Sequence, residues 1–283
     1  MRGEVTVLAP AKLTLTLRVL GTRPDGFHEL EALTVMISAP ADSLTITPAP
    51  AGVVDLSVIG GGDDVPHDDR NLVVRAARMV LPASGGVHIA LTKVTPSGAG
   101  LGGGSADAAA VLRCLGDQHA VDDAAIMAAA AALGSDVSVC VRGVPVFMRG
   151  RGERLEPVLI EEDLSVVVAK PPVSIATPSV FRAWDQLGEP RSKRMVAPPI
   201  AVAHLVEGLV NDLEPAAERV EPTLRQFREA FEAAAGFPAV LAGSGSAYFV
   251  VVPDPETAKE IRARVRQALD VEAFAGRVLR AGV

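Results

Sequence analysis

Cysteine is nearly missing from the 283-residue chain: Cys114 and Cys140 are the only two, and neither belongs to a CxxC or to a His/Cys cluster at metal-ligand spacing. That excludes a disulfide scaffold, and both thiols read as small apolar residues in a reducing compartment. A basic excess is missing too, since 27 Lys and Arg stand against 34 Asp and Glu, for a net charge of −7. Nucleic acid and an anionic membrane surface are therefore not the expected partners, and an anionic ligand must be held by a few placed cations and backbone N–H groups. The most apolar helical run, residues 124–133, is far shorter than the roughly 20 residues of a membrane span. The first residues lack the apolar stretch of a signal peptide, and no repeat or long low-complexity tract interrupts the chain. The expectation is a cytoplasmic protein. Apolar surface is plentiful: hydrophobic residues make up 49% of a chain long enough for two ordinary domains.

Strand patterns run over residues 5–8 and 13–19, with Pro10 as a break between them, and again over 33–37, 43–47, 53–58 and 87–91. Arg23-Pro24-Asp25-Gly26 is turn chemistry. Asn71 offers an N-cap to a helix carrying Leu72, Ala76, Met79 and Val80. Ala108, Val111, Leu112 and Leu115 mark one face of a helix that should end near Gly116, and an alanine-rich helix over 122–133 should stop at Gly134. Residues 137–141 and 144–148 read as apolar segments, with Arg149-Gly150-Arg151-Gly152 as a boundary. Beyond it come a strand over 164–169 and a helix opened by Thr177 as N-cap and Pro178 as its first residue. A basic, proline-rich surface loop over 189–199 should follow, then helices over 201–210 and 222–234. Strands over 239–241 and 248–252, a helix over 255–269 and a last strand or frayed end over 278–283 complete the chain. Strands and helices mix without regular βαβ alternation, so the expected class is α+β.

The segment with the most chemistry is Pro96-Ser97-Gly98-Ala99-Gly100-Leu101-Gly102-Gly103-Gly104-Ser105-Ala106, set between a strand and an amphipathic helix. Glycines allow positive φ and bring N–H groups close to an anion, and the helix adds its unsatisfied N-terminal amides and the positive end of its dipole. Together they form a phosphate cradle, in which Ser105 can donate to a phosphate oxygen or support a Mg²⁺ ion. The loop is not a Walker A motif, because the GK[ST] ending is missing. Nor is it a Rossmann turn, because it lies far into the chain and no acidic residue follows from a second parallel strand.

This loop resembles the second motif of the GHMP kinase superfamily. Pro10-Ala11-Lys12-Leu13 is similar to the first motif, and Ala242-Gly243-Ser244-Gly245-Ser246-Ala247 to the third. Four segments narrow the resemblance: Pro10-Ala11-Lys12, Arg23-Pro24-Asp25-Gly26-Phe27-His28-Glu29-Leu30, Asn71-Leu72-Val73-Val74-Arg75-Ala76-Ala77 and Gly134-Ser135-Asp136-Val137. They resemble the kinases that act on 4-diphosphocytidyl-2-C-methyl-D-erythritol in non-mevalonate isoprenoid synthesis. The resemblance implies a two-domain fold. Residues 1–155 would form an ATP-binding domain like the second domain of ribosomal protein S5, and residues 156–283 a ferredoxin-like domain on the substrate side. ATP and a small-molecule alcohol are the implied partners, with Mg²⁺ implied by ATP. No carboxylate pair announces itself as the metal's ligand, and nothing sets an oligomeric state.

By the same resemblance Lys12 and Asp136 are the catalytic pair, Asp136 as base and Lys12 as the charge that orients it. The residues alone would make Lys12 a solvated strand end and Asp136 an Asx-turn or cap. His28, Thr177 and Phe181 match the positions that hold a cytidine, although they also read as a turn residue, an N-cap and a core residue. Lys93 either contacts nucleotide phosphate or is a solvated strand end, and Asn71 either reaches adenosine or simply starts its helix. Three departures bear on the substrate. Thr14 stands where the family usually has Asn, Ser138 where proline is common, and Phe27 where Tyr is usual. Two other functions stay open at this point: a GHMP kinase for a mevalonate-type or sugar alcohol, and a non-catalytic ligand-binding protein of the same fold.

Overall fold

The computed structural model describes residues 3–62, 65–160, 163–188 and 208–280. The loop expected over 189–199 and most of the helix expected over 201–210 lie outside these residues. In chain order the elements are β1 (Val5–Thr22), β2 (His28–Pro48), β3 (Val54–Ile59), α1 (Leu72–Val80), β4 (Val87–Thr92), α2 (Gly103–His119), α3 (Asp123–Leu133), α4 (Ser135–Arg142) and β5 (Val146–Gly150). They continue with β6 (Arg154–Pro157), β7 (Ser165–Ala169), α5 (Thr177–Gln186), α6 (Glu214–Val220), α7 (Thr223–Ala235), β8 (Val240–Leu241), β9 (Tyr248–Val252), α8 (Pro255–Leu269) and β10 (Ala273–Leu279). The class is α+β, as expected.

Two compact units are present, and each is assembled from separate stretches of chain. One gathers residues 1–12, 40–97 and 102–143, and the other 13–39, 98–101 and 144–283. Division at 155/156 follows the chain order, whereas β1 and β2 each contribute one half to either unit. Both strands are longer than expected, at 18 and 21 residues, because neither Pro10 nor Pro40 interrupts them. A proline removes one ladder donor and fixes one φ, and a strand of this length absorbs that single loss.

In the first unit β3 lies parallel to β4, from Val54 opposite Val87 to Ile59 opposite Thr92. The far half of β2 pairs antiparallel with β4, from Ser43 opposite Thr92 to Pro48 opposite Val87. Val87, Ile89 and Leu91 are buried and alternate with exposed residues, the pattern of a strand covered on one face. Helices α1 to α4 pack on one another. The alanines of α2, Ala106, Ala108, Ala109 and Ala110, are all buried and permit close approach. One expectation is corrected here. Helix α2 passes through Gly116 because the glycine is a packing site: a Cβ there would lie 2.5 Å from Ile126 Cδ1 of α3. Residues 137–141 belong to helix α4, which buries Val137, Ser138, Val139 and Cys140.

In the second unit the near half of β2 pairs antiparallel with β5, and β5 with β6. Arg149-Gly150-Arg151-Gly152 is thus a hairpin turn and not a boundary; Gly150 supplies its positive φ of 75°. Strand β10 joins β2 to β7, and β9 and β8 continue the antiparallel array. Strands β7 and β9 are buried along their whole length and therefore read as unbroken apolar runs. Helix α8 packs on β7, β9 and β10, and α7 packs on α8. The short α6 was not expected from the sequence.

Candidate active site

Lys12 lies inside β1 with 6% of its surface exposed, so it is not a solvated strand end. Its ammonium sits 3.4 Å from Asp136 Oδ2, and the carboxylate is 43% exposed. Asp136 occupies the first turn of α4, whose N-cap is Gly134, so it is a helical residue and not the cap. The amide end of α4 and the Lys12 ammonium both present positive charge to it. Gly102 stands against the lysine stem: a Cβ there would lie 2.7 Å from Lys12 Cγ, at a φ of +64° that L side chains rarely adopt. A buried cation, an open carboxylate and the start of α2 therefore meet in the first unit. Burial pushes the thiol of Cys140, one turn further along α4, up to about 12.

Asn71 caps α1, accepting from the Val73 N–H at 2.9 Å and donating through Nδ2 to the Pro66 carbonyl at 2.7 Å. Both ends of its amide are thus used inside the protein. Lys93 is neither solvated nor open, since its ammonium is held by Asp42 and by Asp107 at 2.7 Å. Burial pushes the Asp107 carboxyl up to about 7, against the opposing pull of Lys93. Ser97 reaches the Gly61 carbonyl at 3.4 Å. Helix α2 starts at Gly103, and its N-cap Gly102 makes no side-chain cap hydrogen bond to the first amides. Of the loop, Gly104 has open space where a Cβ would stand, and Ser105 and Ala106 lie in the first turn of α2.

The middle of the loop belongs to the second unit, where it is laced to the third motif. The Ser246 and Ala247 N–H groups donate to the Gly98 and Ala99 carbonyls, each at 3.2 Å. Gly100 is in such close contact that a Cβ would stand 1.9 Å from the Ala242 carbonyl oxygen. Ala99 and Leu101 are buried. Gly243 and Gly245 take positive φ of 58° and 91°. Asn211 pins this turn by donating to the Leu241 and Gly243 carbonyls at 2.8 and 2.6 Å; no motif pointed to it.

His28, Phe181 and Thr177 also fall in the second unit. The His28 ring stacks on Phe181 at 4.6 Å and meets Trp184 edge-on at 5.3 Å. Its Nε2 is 2.7 Å from Asp185 Oδ1, and a carboxylate accepts, so in the neutral ring Nδ1 is left as the acceptor. Asp185 and Trp184 carried no sequence signal beyond helix periodicity. Thr177 is the first residue of α5, with Ala176 as N-cap, so the expected cap is corrected; its hydroxyl lies 2.7 Å from Ser244 Oγ. Phe27 is exposed, and the Arg151 guanidinium lies 4.6 Å from its ring centre. Thr14 is buried, with its hydroxyl 3.4 Å from that of Thr34. Ser138, like Asp136, is part of α4.

A glycine loop opening a helix, with a lysine–aspartate pair at that opening, is the arrangement of a small-molecule kinase. Residues 71–144 match the family described as GHMP kinases N terminal domain, and residues 201–271 match GHMP kinases C terminal. A 4-diphosphocytidyl-2-C-methyl-D-erythritol kinase of Pelotomaculum thermopropionicum is 38% identical over 93% of this chain and 94% of its own. One of Rhodopseudomonas palustris is 39% identical over 89% of both. Among solved structures, a 4-(cytidine 5'-diphospho)-2C-methyl-D-erythritol kinase superposes with a TM-score of 0.81 at 34% identity, covering 98% of this chain and 100% of that one. The mevalonate kinase of L. major, at 14% identity and a TM-score of 0.72, covering 99% of this chain and 97% of its own, shares the fold. The chain belongs to the 4-diphosphocytidyl-2-C-methyl-D-erythritol kinase family of GHMP kinases. No helix among the described residues is long and apolar enough to cross a membrane.

Proposed function

We propose that the protein transfers the γ-phosphoryl group of ATP to the 2-hydroxyl of 4-diphosphocytidyl-2-C-methyl-D-erythritol, giving the 2-phosphate and ADP for isoprenoid precursor synthesis in the cytoplasm. One observation carries this reading: Lys12 and Asp136 stand 3.4 Å apart, against Gly102 at the opening of α2. Asp136 accepts the proton of the attacking hydroxyl, the oxygen bonds to the γ-phosphorus, and the bond to the leaving β-phosphate oxygen breaks. Lys12 holds the carboxylate in place and offsets charge on the oxygen as the proton leaves. Little covalent help is needed, because positioning and charge neutralisation carry phosphoryl transfer.

The amides of residues 98–106 and the Ser105 hydroxyl would hold the phosphates, with Asn71 on the nucleotide side; Lys93, covered by Asp42 and Asp107, would not touch them. His28, Phe181 and Thr177 would receive the cytidine, with Thr14, Phe27, Gly243, Ser244 and Gly245 around the acceptor. In this reading residues 1–155 carry the ATP loop and the catalytic pair, and residues 156–283 join Thr14, Phe27 and His28 on the acceptor side. Among the described residues no group of three or more His, Cys, Asp or Glu fits a metal ion, and Asp42 and Asp107 are engaged by Lys93. Magnesium bound with ATP would supply charge neutralisation on the transferring phosphates, and Ser105 at the start of α2 is the side chain that would support it. Mevalonate-type kinases are related through fold alone, so another alcohol is not favoured, and the intact Lys12–Asp136 pair does not favour a non-catalytic role. Phosphorus NMR of the product tests the reading. A new monoester signal coupled to the 2-position supports it, and a monoester elsewhere contradicts it.

A further inference from the structure

Both stems of the phosphate loop end on one buried ionic cluster that the phosphoryl-transfer reading does not use. On the entering side, Asp42 Oδ1 accepts from the Val94 and Thr95 N–H groups at 2.5 and 2.7 Å, while Asp42 Oδ2 takes the Lys93 ammonium. On the leaving side, Asp107 Oδ2, just past the first turn of α2, accepts from the same ammonium at 2.7 Å. The three side chains are 5%, 0% and 2% exposed for Lys93, Asp42 and Asp107. Gly103, the first residue of α2, is seated directly on the cluster: a Cβ there would lie 2.9 Å from Thr95 Cγ2 and 3.1 Å from Lys93 Nζ. Asp107 Oδ1 and Thr95 Oγ1 are buried without partners beside it.

Three roles compete for this cluster. As a direct phosphate ligand Lys93 is poorly placed, because its charge is already offset by two carboxylates and its side chain is covered. As a metal site the cluster fails, because its carboxylates are engaged by a cation. As a source of bulk stability it is weak, since removing three charges from water offsets most of what their attraction returns. What a buried, hydrogen-bonded ion cluster does supply is one geometry. The chain between the stems is rich in glycine, which loses more conformational freedom on ordering than any other residue. A clasp across the stems removes part of that loss before the ligand arrives.

We infer that Asp42, Lys93 and Asp107 form a positioning clasp that fixes the mouth of the phosphate loop and so sets affinity for the nucleotide. The inference rests on the reading that the loop holds ATP. Asp107→Ala unties the leaving stem, and KM for ATP rises by about tenfold, equivalent to about 1.4 kcal/mol, while KM for the acceptor alcohol stays within about twofold of the starting value. Asp107→Asn keeps the shape and an acceptor for Lys93, and brings KM for ATP most of the way back. Asp42→Asn strains the entering stem from a different element and reproduces the Asp107→Ala signature, which keeps the test alive should Asp107→Ala fail to fold. Calorimetric titration with ADP separates the two layers. No ADP binding by the unsubstituted protein sinks the functional reading itself. Normal ADP binding with variants that lose thermal stability but keep KM for ATP overturns the clasp.

Discussion

Two buried lysines flank the start of α2, and the carboxylates they face differ in number and in exposure. Lys12 faces Asp136, whose carboxylate is 43% exposed. Lys93 faces Asp42 and Asp107, which are 0% and 2% exposed. Each lysine sits under a glycine of the same turn, Gly102 over Lys12 and Gly103 over Lys93. An ion pair with one open carboxylate can receive a substrate and a proton, whereas a cluster closed on all sides can only hold the chain in place. On the proposed reading, exposure of the partner, more than burial of the lysine, separates chemistry from architecture.

The largest effect expected from breaking this contrast is Asp136→Ala. Turnover should fall by about 10²–10⁴, the range for a lost general base, with ADP affinity from calorimetry unchanged. Because Asp136 faces the buried Lys12 ammonium and the amide end of α4, its loss should also lower the thermal denaturation midpoint. Gly100→Ala comes next, because its Cβ would meet the Ala242 oxygen at 1.9 Å with φ at +77°. Strain and overpacking together should cost on the order of 3 kcal/mol, read as a lowered denaturation midpoint.

The glycine pair sharpens the comparison further. Gly102→Ala pushes on Lys12 and should lower kcat by about tenfold or more, as expected for a misplaced catalytic group. Gly103→Ala pushes on Lys93 and Thr95 and should instead raise KM for ATP by about three- to tenfold, the signature of weakened binding. Steady-state kinetics on the two variants would merge the roles of the lysines if both changes struck the same constant. Smallest is His28→Ala, which touches neither lysine. It should raise KM for the cytidylated acceptor by about tenfold through lost stacking and hydrogen bonding and leave KM for ATP unmoved.

The glycine loop was legible from its own residues, whereas Lys12 and Asp136 were singled out only through the resemblance of their segments to family motifs. Elements with strong periodicity, such as α2, α8 and β4, were likewise legible from their own residues. Strand length was hidden by Pro10 and Pro40, which a long strand tolerates at the loss of one donor each. Gly116 was misleading because a glycine can end a helix or admit a neighbour, and only the Ile126 contact tells which. Asp42 lies more than fifty residues before Lys93 in the chain, so no local pattern joins them; the antiparallel pairing of β2 with β4 does. Asp185 and Asn211 were invisible for a similar reason, since their partners His28 and Gly243 are distant in the chain.

The most direct measurement is ADP release by the purified protein with magnesium-ATP and 4-diphosphocytidyl-2-C-methyl-D-erythritol, beside mevalonate and homoserine. The account predicts turnover with the cytidylated alcohol alone, lowered by about 10²–10⁴ in Asp136→Ala. Release of ADP with mevalonate or homoserine but not with the cytidylated alcohol, or full activity in Asp136→Ala, would contradict it.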